Sequence, residues 1–221
     1  MTKYVIAIAA LVVVVVAGVV LYERYGTPTT QVAATAESAA AVTDAEQPAL
    51  YPDDMILGDP DAPVTIIEYA SLSCPHCADF QTEVLPQLKT AYIDTGKAKL
   101  VYRDFPLNQP ALHGAQLAHC VAPQSYFGML ELLFGNQDKW AFGTKVDEEL
   151  TRLGATAGID ATKFKACLED EAMRERIVNR ALEAEQKFGV NSTPTFIVNG
   201  TKLTGTHAFE DFQKAIDAAQ P

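Results

Sequence analysis

The sequence predicts an α/β fold in which a sheet is interrupted by an inserted helical subdomain, preceded by an N-terminal transmembrane helix. Three observations carry this expectation. Patterning after residue 50 runs strand, helix, strand, a long helical stretch, hairpin and helix. A Cys-X-X-Cys pair stands where the first long strand gives way to the first helix. A charge-free apolar run fills the N-terminus.

Taking the elements in order, Tyr4 to Tyr22 is dominated by Val, Ala, Ile and Leu. At about 1.5 Å per residue it nearly crosses a hydrocarbon core of about 30 Å. Ala34-Thr35-Ala36 is the nearest small-residue cleavage site, and it lies far beyond Tyr22. Residues 1–24 are therefore expected to be an uncleaved membrane anchor, the rival being a cleaved signal that leaves a soluble protein. Lys3 favours a cytoplasmic amino end, whereas Arg24 on the other flank weakens that charge bias. Residues 25–50, rich in Ala and Thr with scattered acids and Gln, cannot bury enough surface to fold and read as a flexible tether.

Globular patterning covers residues 51–221. Gly58-Asp59-Pro60-Asp61-Ala62-Pro63 is a turn that feeds the apolar, β-branched strand Val64–Ala70. From Cys77 to about residue 94 the spacing of Phe80, Val84 and Leu88 is helical, with Pro86 expected to kink the helix. Lys99–Phe105 reads as a second strand, and residues 107–188 as a helical insert, with Thr144 and Asp160 as candidate N-caps. Thr195–Val198 and Thr201–Thr204 flank Asn199-Gly200, a two-residue hairpin turn, and a last helix from about His207 carries Phe209, Phe212 and Ile216 on one face.

The 221-residue chain has 48% hydrophobic residues, enough for a core, and a net charge of −11. That balance argues against nucleic acid as a partner, which requires a basic surface. All four cysteines follow residue 70, and an even count favours an oxidising compartment.

Cys74-Pro75-His76-Cys77 can close a small disulfide ring. Cys74 stands at a helix N-terminus, where unpaired N–H groups and the helix dipole favour a thiolate. Pro75 in the first turn sacrifices no hydrogen bond. His76, when protonated, is expected to stabilise the thiolate further. A dithiol stabilised in this way makes a disulfide that readily accepts electrons from other thiols. The competing reading, half a zinc site, lacks a second close pair of Cys or His. Glu68 is a carboxylate inside an otherwise apolar strand, and alternation alone leaves it facing solvent or the core. Thr193-Pro194 precedes a strand, which by itself is ordinary punctuation. His113, His119 and His207 show no ligand spacing and read as surface or capping residues, and Trp140, Tyr126, Phe127 and Phe134 read as core.

The Cys74–Cys77 motif after an apolar strand resembles the thioredoxin superfamily, and within it the DsbA-like thiol:disulfide oxidoreductases, over about residues 51–221. The resemblance implies a thioredoxin fold with a mixed central sheet, a cis Pro194 facing the redox cysteines, and Thr193 bordering the site with its backbone free to pair with an extended substrate. It implies that Glu68 is buried and exchanges protons with Cys77. Cys120 and Cys167 are expected to form a structural disulfide, as a second pair does in many relatives with helical inserts, the alternative being a regulatory pair. The expected substrates are exported proteins with free thiols on the periplasmic side of a bacterial inner membrane. The expected redox partner is a membrane quinone reductase of the DsbB kind, and no cofactor or metal is required. An isomerase or reductase of the same fold, and a Cu(I)-binding thiol protein, are the alternatives.

Overall fold

The computed structural model describes residues 41–205 and 207–220. The expected transmembrane helix over 1–24 and the tether to residue 40 lie outside the described residues. Among the described residues, no helix is long and apolar enough to cross a membrane.

A six-stranded mixed sheet organises the domain, with strand order β1-β6-β5-β3-β4-β2. Its centre is β3 (Val64–Ala70), parallel to β4 (Ala98–Asp104) and antiparallel to β5 (Thr195–Val198). The hairpin partner β6 (Thr201–Thr204) follows a turn in which Asn199 and Gly200 both adopt positive φ, the conformation a tight hairpin requires.

Two strands depart from the sequence expectation. Ala41–Asp44 forms β1, paired antiparallel with β6, so the tether assigned to 25–50 does not extend unstructured to residue 50. Backbone pairing along an edge needs no large apolar side chain, and composition therefore gives no sign of it. Met55–Leu57 forms β2 on the far edge, against β4.

The helix expected from Cys77 begins slightly earlier and runs without interruption to Ile93. It comprises α1 (Pro75–Asp79), a π-helical turn, α2 (Leu85–Leu88) and a second π-helical turn. Pro86 occupies the first turn of α2, so its missing N–H is absorbed where the hydrogen-bond pattern already changes. The insert supplies α3 (Gln109–Cys120), α4 (Tyr126–Phe134), the short α5 (Gln137–Trp140), α6 (Val146–Thr156), α7 (Ala161–Leu168) and α8 (Glu171–Phe188). Asp160 caps α7 by accepting from the Lys163 N–H, whereas Lys145, not Thr144, holds the N-cap position of α6. The chain closes with α9 (Phe209–Ala219).

Side chains alternate across the sheet. One face sets Val64, Ile66, Leu100, Phe196 and Val198 against Phe80, Leu88, Phe212 and Ile216. The other sets Ile67, Val101 and Ile197 against Ala184 of α8. A third cluster joins Leu72, Cys74, Cys77 and Tyr102 to the insert through Tyr126, Leu130, Leu133 and Trp140. Cys74 and Cys77 thus sit where the central strands meet the inserted helices.

Candidate active site

Cys74 is the N-cap residue of α1, with extended backbone dihedrals (φ −91°, ψ 119°), and Pro75 opens the helix. Its carbonyl accepts from the N–H groups of Cys77 (3.1 Å) and Ala78 (3.2 Å), which places its side chain at the N-terminal end of the helix. The Thr193–Pro194 peptide is cis, and the Cys74 thiol lies 3.3 Å from the Thr193 carbonyl oxygen as its donor. Structure thereby brings Cys74, Cys77, Thr193 and Pro194 together across 119 residues of chain.

Both cysteines are unpaired thiols, and they are not equivalent. The Cys77 thiol, by hydrogen bonding to the Cys74 sulfur, is the largest influence pulling the Cys74 pKa from 9.0 down to about 6. Burial opposes this, and the N–H groups of Cys77 and His76 assist it. The Thr193 hydroxyl, buried without a hydrogen bond of normal geometry, adds to the lowering. Cys77 is driven the other way, well above the ordinary thiol value, first by burial and then by Cys74 and Glu68. Cys77 is fully buried, but Cys74 is itself only 6% exposed, because the Pro194 loop covers it.

Glu68 is fully buried on the face toward the insert, which settles the ambiguity left by alternation. Gln81 donates to its Oε2 at 2.9 Å, while Oε1 has no partner among the described residues. Burial raises the Glu68 pKa well above the carboxylate range. Glu68 and Cys77 are near enough that a charge on Glu68 raises the Cys77 pKa further.

His76 does not occupy the position its charge would need to act most strongly. Its side chain is 64% exposed, with Nδ1 3.5 Å from Asp79 Oδ2, and its contribution to Cys74 comes through its backbone N–H. It lines a groove of about 340 Å3 beside Pro194, together with Phe80, Val84, Phe196 and Phe209.

Cys120 and Cys167 are disulfide-bonded, with Cα atoms 6.1 Å apart, and clip α3 to α7. Of the histidines read as surface or capping residues, His119 and His207 are not on the surface. His207 is buried, and His119 pairs at 2.8 Å with Asp104 while retaining only 13% side-chain exposure.

Two contributors escaped the sequence reading. Gln81 lies four residues after Cys77, and that helical spacing could have placed it on the same side. Gln137 of α5 is buried and donates to the carbonyls of Leu72 (2.9 Å) and Cys74 (3.0 Å), fixing the turn before α1, and no local signal points to it.

Comparison with known proteins matches residues 51–218 to a family model described as thioredoxin. A Rickettsia conorii protein with the provisional name protein-disulfide oxidoreductase is 36% identical over 171 residues, covering 76% of this chain and 60% of that protein. The chain thus spans about three fifths of that relative's length. A Bacillus cereus protein, provisionally named disulfide bond formation protein D, is 30% identical over 179 residues, covering 76% of this chain and 79% of that one. The crystal structure of alpha-DsbA1 from Wolbachia pipientis superposes with a TM-score of 0.72 at 34% identity, covering 77% of this chain and 92% of that chain.

Proposed function

The chain belongs to the thioredoxin family, among its DsbA-like protein-disulfide oxidoreductases, and from that membership we propose that it donates disulfides to exported proteins through Cys74 and Cys77. The asymmetry of the pair carries the reading. A thiol held at about 6 beside one raised well above 9.0 makes the reduced form favourable and Cys74 a good leaving group.

A substrate thiolate attacks Cys74 Sγ of the oxidised protein. The Cys74–Cys77 bond breaks, its electron pair leaves on Cys77 Sγ, and Cys77 takes up a proton, for which Glu68 is the adjacent donor. A second substrate thiolate then attacks the substrate sulfur of the mixed disulfide and releases Cys74 as a thiolate. The substrate has lost two electrons and the protein holds two reduced cysteines. Thr193 and Pro194 present backbone to an extended substrate in the strand-addition manner, and the adjoining groove receives its side chains. Pro75 starts the helix whose terminus favours the thiolate.

In the cell this chemistry requires an oxidising compartment, the periplasmic side of a bacterial inner membrane, with residues 1–24 as the anchor and 25–40 as the tether. A membrane quinone reductase of the DsbB kind would reoxidise the pair. Oxidation of a reduced, unfolded secretory protein tests the activity directly. The wild type should introduce disulfides stoichiometrically and Cys74→Ser should not, whereas equal turnover by that variant would overturn the assignment.

A further inference from the structure

Three buried polar atoms lie in or beside the cluster that holds Cys77, each without a hydrogen bond of normal geometry among the described residues: Glu68 Oε1, the Tyr102 hydroxyl and the Tyr126 hydroxyl, whose nearest acceptor is Asp104. A buried hydroxyl that lacks a well-formed hydrogen bond is destabilising, and phenylalanine would fill the same space without that cost, so two such tyrosines side by side call for a use.

Glu68 stands opposite Tyr102 in the β3–β4 pairing, and Asp104, two residues further along β4, shares that face. The Tyr126 ring lies 6.1 Å from that of Tyr102 and 4.9 Å from that of His119, whose Nε2 is 2.8 Å from Asp104 Oδ2. Tyr102, Asp104 and His119 line a cavity of about 20 Å3, enough for one water molecule, with Asp53 and Arg176 on its outer side half exposed to solvent. No residue of this cavity belongs to the groove beside Cys74. Of the other charges lining it, Arg176 and Arg180 are paired with Asp53 and Arg103 with Asp54, and the Asp104–His119 pair is the remaining ion pair on its wall.

We propose that Glu68, Tyr102, Tyr126, Asp104 and His119 form a proton-exchange path between the Cys77 sulfur and solvent, separate from the groove that substrate covers. The path rests on the redox reading of the Cys74–Cys77 pair. Each reduction leaves the electron pair of the broken S–S bond on Cys77, which then binds one proton, and each oxidation releases that proton. Neutral Glu68 gives its proton to Cys77 and must be recharged while substrate lies over Cys74. A phenol can donate and accept at once, so a proton taken up at the Asp104–His119 pair moves inward as each hydroxyl passes on its own. Burial and neighbouring negative charge keep both tyrosines in the protonated form this requires.

The test is the resolution step. Reduced protein reacts with oxidised glutathione to give a mixed disulfide at Cys74. Cys77 then loses its proton and attacks Cys74 Sγ, releasing glutathione. In the double variant Tyr102→Phe/Tyr126→Phe this step should slow roughly tenfold or more, below the roughly hundredfold at which direct acid–base contributions begin. The thermal midpoint should not fall, and the reduction potential should not change. His119→Ala should slow the same step, and added imidazole should restore it. An unchanged rate in the double variant, with Glu68→Gln slowed, would overturn the path while leaving Glu68 as the local donor. Unchanged rates in both would overturn the path and the Glu68 relay together. A slower step with an altered potential would also overturn it, since the hydroxyls would then act on the energies of the thiols. Failure of the wild type to form the mixed disulfide would remove the redox reading and the path with it.

Discussion

Replacing Cys77 by Ala should raise the pKa of Cys74, because the Cys77 thiol is the largest of the influences that lower it. The drop from 9.0 to about 6 corresponds to about 4 kcal/mol of preference for the thiolate, at about 1.36 kcal/mol per pKa unit. The N–H groups of Cys77 and His76 survive the substitution, as does Thr193, so only part of that preference is lost. A rise of about one to two pKa units is expected, bringing Cys74 to about 7 to 8. Cys77→Ser, which keeps a hydroxyl donor, should fall between the variant and the wild type. Titration of the thiolate ultraviolet absorbance, checked by alkylation rates across the same pH range, reads both values. If Cys77→Ala still titrates near 6, the helix terminus and the Pro194 loop hold the thiolate unaided, and the thiol–thiol hydrogen bond contributes nothing.

Three further outcomes follow from the geometry. His76→Ala should move the Cys74 pKa by less than about one unit, since the exposed imidazole turns toward Asp79 and the backbone N–H remains; a rise matching that of Cys77→Ala would contradict this. Replacing Cys120 and Cys167 together by Ala should cost about 4 kcal/mol of stability for a 47-residue separation, read by denaturant unfolding, with disulfide donation largely retained. Glu68→Gln should stabilise the reduced protein increasingly as pH rises above the ordinary glutamate value of 4.5. There the unfolded chain releases the proton that buried Glu68 keeps, so wild-type stability falls by up to about 1.4 kcal/mol per pH unit until Glu68 itself ionises; parallel pH profiles for the two proteins would contradict this.

Much of the site was legible in the sequence because it is local. Cys74, Pro75 and Cys77 share one helical turn, and Glu68 sits in the strand that feeds it. The partnership with Thr193 and Pro194 came from family resemblance, because 119 residues separate them from Cys74. The central strands and most insert helices declared themselves by β-branching and helical spacing, whereas β1 and β2 did not. Those two edges are three and four residues long and are stabilised by backbone pairing that leaves little mark on composition. The Gln137 clamp and the Tyr102–Tyr126 cluster were invisible because each joins elements remote in sequence or hides a polar atom in an aromatic side chain that reads as core, whereas Gln81 could have been placed by its helical spacing from Cys77. The direction of the His76 ring is likewise not written in the sequence. Sequence adjacency puts it beside Cys74, but the helical turn directs its ring outward to Asp79.

The central claim is that the pair is tuned to donate disulfides, and the equilibrium reduction potential against glutathione measures that most directly. A Cys74 thiolate present down to about pH 6 means that reduction takes up one proton per two electrons above that pH and two below it. The potential should therefore change by about 30 mV per pH unit near neutrality and about 59 mV per unit below pH 6. At pH 7 it should lie above the glutaredoxin range of about −200 to −230 mV, toward the strong oxidants. A value near −270 mV, as in thioredoxin, with a slope of about 59 mV persisting through pH 7, would contradict the account.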